Sequence, residues 1–112
     1  MIKPWDNILS FYATLEQIES SGAMTQLVRD IVSSRYKEGL FAWTSAFNLC
    51  IVPTPVIYPY NGPYLKISPL QEDQLEFRYI DTCIKAKQWH RIVAGSDGFT
   101  RLERFLEHLH WF

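Results

Sequence analysis

The chain has 112 residues, with eleven Lys and Arg against twelve Asp and Glu, for a formal net charge of −1. Charges of both signs are interspersed along it, which argues against a general nucleic-acid or anionic-membrane binder, since either needs an excess of cations on one face. Hydrophobic residues make up 47%, with four Trp, six Tyr and seven Phe, so one compact domain over 1–112 can build its core from a few large rings without disulfides or a metal.

The first apolar stripe runs from Trp5 to Glu19. There Trp5, Ile8, Leu9, Tyr12, Leu15 and Ile18 recur at three- and four-residue steps, as one face of an amphipathic helix requires. Pro4 suits its start and Ser20-Ser21-Gly22 its end. A second stripe of Met24, Leu27, Val28, Ile31 and Val32 predicts a helix from about Met24 to Lys37, stopped by Gly39. After Gly39 the texture becomes extended. Leu40–Thr44 and Leu49–Val52 are rich in aromatic and β-branched residues, with a turn at Ser45–Asn48, and Pro53 and Pro55 push the next segment to a sheet edge or out of the sheet. Tyr64–Ser68 resumes the strand pattern. Gln74–Asp81 is the clearest strand, because Leu75, Phe77 and Tyr79 alternate with Gln74, Glu76 and Arg78. Gln88–Val93 is a further strand whose buried side the pattern leaves open.

The chain closes on a helix from about Phe99 to His110, with Thr100 and Glu103 at capping-box spacing and Phe99, Leu102, Phe105, Leu106 and Leu109 as its stripe. Trp111 and Phe112 should dock on the body. The order of two helices, four to six short strands and a C-terminal helix predicts an α+β fold: an antiparallel sheet with the amphipathic helix packed on it.

Chemistry-bearing patterns are sparse. Cys50 and Cys83 lack metal-type spacing, sit in apolar strand-like contexts and read as two reduced, buried thiols of a cytoplasmic protein, and whether they meet in space is not set by the sequence. Met1-Ile2-Lys3-Pro4-Trp5-Asp6 lacks the apolar core of a signal peptide, and no run approaches the ~20 apolar residues of a membrane span. His108 and His110 point apart on a helix and cannot share an ion, so neither metal nor cofactor is expected. The trio Asp81, Cys83 and His90 is close enough in sequence to suggest a nucleophile and base, but nothing around Cys83 marks an activated thiol. Phosphate-loop, nucleophile-elbow and dinucleotide motifs are missing.

The most informative stretch is Val56–Tyr64. Tyr58, Tyr60 and Tyr64 sit on a proline-stiffened turn in which Asn61-Gly62 would supply positive φ. No core stripe claims all three rings, and Tyr offers rigid contact area with a polar tip. The expected function is therefore a small non-catalytic interaction module. It would meet a protein partner, or a second copy of itself, through Tyr58, Tyr60, Asn61, Tyr64 and the adjacent sheet edge. The alternative is a pocket for a small apolar ligand, or a simple enzyme, with Trp43, Phe47, Tyr79 and Trp89 as walls and His90 and Asp81 as polar groups. Nucleic-acid binding through Lys85, Lys87, His90 and Arg91, with Trp89 stacking, ranks last.

Overall fold

The computed structural model describes residues 1–19 and 22–112. The first stripe forms α1, Trp5–Glu19, and the second forms α2, Gly22–Val32. The Ser20-Ser21 link and the side chain of Ile18 lie outside the described residues. A 3-10 turn, Arg35–Glu38, leads into β1, Phe41–Ser45, followed by β2, Asn48–Val52, β3, Tyr64–Pro69, β4, Gln74–Ile80, and β5, Trp89–Ala94. The last long element is α3, Gly98–Leu109. The α+β expectation holds: helices at both ends flank a five-stranded antiparallel sheet.

Strand order equals chain order, so each strand pairs with its sequence neighbour. Among the described residues, no connection between consecutive strands carries a crossover helix, so neighbours pair antiparallel and a meander results. The register aligns Ala42, Ile51, Leu65, Tyr79 and Trp89 in one row and Thr44, Leu49, Ile67, Phe77 and Arg91 in the next. These rows face the helices. Leu49, Ile51, Leu65, Ile67, Leu75 and Phe77 join Ile8, Met24, Leu27, Ile31, Leu102 and Leu106 in one buried cluster. Polar groups within it are satisfied. Trp5 Nε1 donates to the Leu40 carbonyl at 3.0 Å, Tyr12 Oη to the Phe47 carbonyl at 3.0 Å, and Thr25 Oγ1 to the Tyr12 carbonyl at 3.1 Å.

Three local expectations are corrected, and one open question is decided. Helix α2 stops at Val32, not Lys37, because Ser34 breaks it: its hydroxyl donates to the Ile31 carbonyl at 2.8 Å and accepts the Tyr36 N–H at 3.2 Å. That turn brings Tyr36 inward, and its hydroxyl donates to Glu103 at 2.9 Å. The capping box at Thr100 and Glu103 is not made, because the helix begins at Gly98 and places Thr100 inside its first turn, and Asp97, which precedes the helix, provides no side-chain cap. The third correction concerns Asn61-Gly62. No described glycine has positive φ, and that backbone geometry falls instead on Ala46 (φ 53°), Glu72 (φ 60°) and Asp73 (φ 55°) in the tight turns, and on His110 (φ 58°) closing α3. The segment from 53 to 63 is a long excursion, so no two-residue turn is needed there. Last, the buried side of β5 is resolved: Val93 is buried and Trp89 and Arg91 share its face.

Trp111 docks at a ring distance of 6.1 Å from Tyr79, and Phe112 packs edge-on against Tyr36 at 4.7 Å. Among the described residues, no helix is long and apolar enough to cross a membrane.

Candidate functional site

The sheet has a second face, opposite the helices. A straight row crosses it, Trp43, Cys50, Lys66, Arg78 and His90, one residue from each strand. Alternation along each strand turns these side chains away from the helical layer. The prolines at 53 and 55 lead the chain off β2, and the 53–63 excursion folds back over this face. Tyr60 meets Trp43 edge-on at 6.1 Å, and Tyr64, the first residue of β3, lies 5.6 Å from the same indole. The Tyr60 hydroxyl donates to the Pro63 carbonyl at 2.7 Å, and Thr82 Oγ1 donates to the Asn61 carbonyl at 2.9 Å. The base of the excursion is thus anchored by rings and by the Thr82 hydrogen bond, while the Tyr60–Pro63 bond stiffens it from within.

Beneath that lid Cys50 and Val52 are buried. Burial pushes the Cys50 thiol up to about 11, although Lys66 and Arg78 pull the other way. Desolvation also raises the Tyr60 and Tyr64 hydroxyls above their usual range. Beside the lid, Arg78 lies 3.4 Å from Glu76 and its guanidinium donates to Ser68 at 3.5 Å. The tip of the excursion does the opposite of its base. Ile57 is 84% exposed and Tyr58 81%, and the prolines beside them, Pro55 and Pro59, are also exposed.

The three tyrosines therefore divide. Tyr58 is presented to solvent, while Tyr60 and Tyr64 are half-buried supports. The expected pocket set is dispersed. Trp43 and Phe47 belong to the β1 edge and its turn, whereas Trp89 and His90 lie on β5, four strands away, roughly 19 Å at the usual strand spacing. Only Tyr79 and Trp89 meet, stacked at 6.0 Å, and His90 projects from the other face of β5. Asp81 is buried for a local reason, accepting the N–H groups of Cys83 at 3.1 Å and Ile84 at 2.9 Å. Its carboxylate organises a turn. The expected burial holds for Cys50 and is corrected for Cys83, which is exposed because β4 ends at Ile80 and leaves it on the turn that Asp81 organises; neither is in a disulfide. Lys85, Lys87 and His90 are exposed near that turn, while Arg91 turns to the helical side.

A second concavity, between β5 and α3, escaped sequence reasoning. It is lined by Trp89, Arg91, Arg101, Arg104, Phe105 and His108 and encloses about 310 Å³. The signal was present, because Arg101, Arg104 and His108 recur at helical spacing on α3. Read singly, Arg101 and Arg104 suggest local ion pairs. The described ion pairs are instead Lys37–Asp6 and Arg78–Glu76. Among the described residues, no three His, Cys, Asp or Glu side chains gather as a metal site. Compared with protein-family models, curated proteins and solved structures, the chain finds no match.

Proposed function

We propose that this chain is a non-catalytic protein-binding module whose contact surface is the Pro55–Pro59 tip of the β2–β3 excursion. The observation that carries the reading is the contrast within one loop: Ile57 and Tyr58 stand in solvent while Tyr60 and Tyr64 brace the base against Trp43. Exposed neighbouring apolar side chains are costly to solubility, and a rigid, braced presentation lowers the ordering cost of docking. Tyr58 is the anchor, offering large area and a hydroxyl at its tip. The two unpaired cysteines favour a reducing compartment, and the reading places the module in the cytoplasm.

Photo-crosslinking tests this directly. A photoreactive phenylalanine analogue replaces Tyr58, and in a control it replaces Phe47, which is also exposed but lies at the other end of β2. Irradiation in intact cells should give a discrete adduct from position 58 that is lost when Ile57→Ser is added. An adduct of twice the chain mass makes the partner a second copy, and any other mass makes it a different protein. Equal adducts from both positions, or none from position 58, would overturn the assignment.

A further inference from the structure

The groove between β5 and α3 stands apart from the tyrosine loop, and its composition is unusual for a chain of net charge −1. Three arginines and a histidine line it with two aromatic rings, and no carboxylate is among the lining residues. Two of the guanidiniums are held over ring faces, Arg91 at 5.9 Å from the Trp89 centroid and Arg101 at 5.4 Å from that of Phe105. The rings are themselves fixed, Trp89 and Phe105 lying 4.8 Å apart with Phe105 against Phe77 at 5.0 Å. Stacking restricts the arginines and leaves their guanidinium edges open to a planar anion, apart from one Arg91 N–H that the His90 carbonyl accepts.

The groove runs along an open strand. Among the described residues, β5 ends the sheet and pairs only with β4. The His90 carbonyl accepts from the Arg91 guanidinium at 2.7 Å, so it points away from β4. At the other end the Gly95 N–H bonds to the Asp73 carbonyl on the β4 side. Backbone direction alternates along an antiparallel strand, so His90, Ile92 and Ala94 all turn their N–H and C=O groups outward. One of these carbonyls is occupied only by its own neighbour's side chain, which an incoming strand can displace.

We infer that β5 takes an extended acidic segment of a partner protein as a sixth strand. Its carboxylates on the α3 side pair with Arg91, Arg101 and Arg104, and its apolar residues on the other side lie beside Ile92. Strand addition supplies affinity through main-chain bonds and specificity through alternate side chains. Ile92 is 55% exposed on the face opposite the arginines, so the preferred segment alternates acidic and apolar residues. The arginine cluster is confined to the length of one six-residue strand, about 20 Å. That suits a short peptide rather than a nucleic-acid backbone, which needs cations along a longer track.

The probes are three capped octapeptides and an oligo-dT strand of similar length. The first peptide alternates glutamate with valine, the second alternates lysine with valine, and the third has the composition of the first but places all its glutamates before all its valines. Calorimetry and amide hydrogen exchange are read on the full chain. The alternating glutamate peptide should bind, weaken with added salt, and protect the His90, Ile92 and Ala94 amides, while the lysine and block peptides bind at least roughly tenfold more weakly. Arg104→Ala touches no ring pair and should weaken the alternating glutamate peptide by about threefold to tenfold. Ile92→Pro removes an N–H that β4 does not use, so it should spare the fold, checked by circular dichroism, and abolish binding. Equal binding of the lysine peptide, tighter binding of oligo-dT, unchanged affinity in Arg104→Ala, or binding without protection of β5 would each overturn the proposal.

Discussion

Raising the pH from 8 to 10 should cost the native protein about 1 kcal/mol of stability through Cys50 alone. The thiol lies under the Trp43, Tyr60 and Tyr64 lid, and burial raises it from 9.0 to about 11. In the unfolded chain the same thiol ionises near its ordinary value, so between those limits the unfolded state releases a proton that the native state keeps. A raised native value contributes stability that is complete below pH 9 and is lost as the pH climbs toward 11. One unit above the unfolded value, ionisation favours the unfolded state by about 1 kcal/mol, and the native thiol recovers almost none of it. Urea titrations in the presence of a reductant, at pH 8 and pH 10, measure the loss in wild type and in Cys50→Ala. Tyr12, whose hydroxyl is raised first by burial and second by Cys50, keeps its burial in the variant, so most of its contribution cancels. Wild type should lose about 1 kcal/mol more than the variant. Parallel losses would refute the reasoning and would mean that water reaches Cys50, so that the loop base is not seated on the sheet.

Iodoacetamide at pH 8 should modify exposed Cys83 and spare buried Cys50 until urea is added, as read by peptide mass spectrometry; faster labelling of Cys50 would contradict its burial. Gly95→Ala should lower stability by about 1–3 kcal/mol in thermal melts, because the new methyl would press on the Asp73 carbonyl oxygen and on Ala23 of α2. An unchanged melting temperature would show that the β3–β4 turn can retreat.

Much of the framework was legible because it is written in local periodicity. The Leu75, Phe77, Tyr79 alternation and the α3 stripe each define a face within a single element, and the five strands and three α-helices were located to within a few residues except at the end of α2. That end depended on a serine hydroxyl competing for the Ile31 carbonyl, which a stripe of apolar residues does not register. The capping-box spacing at Thr100 failed because the helix begins two residues earlier, at Gly98, and Glu103 is left to accept from Tyr36, 67 positions away in sequence. The candidate site was legible only as a segment. Composition marked Val56–Tyr64 as aromatic surplus, but the split between a solvent-facing Tyr58 and the supporting Tyr60 and Tyr64 depends on where Trp43 sits across the sheet.

By itself, the order of residues determined the elements, the α+β class and the side of β4 that is buried, since each of these follows from neighbours within one or two turns of the chain. Tertiary structure alone decided which polar groups meet. Arg91 comes from a strand and Arg101, Arg104 and His108 from a helix, and only the packing of α3 along β5 gathers them into one groove. Likewise only the meander leaves β5 without a sixth strand. Convergence of this kind depends on distances across the core, which no periodicity along the chain encodes.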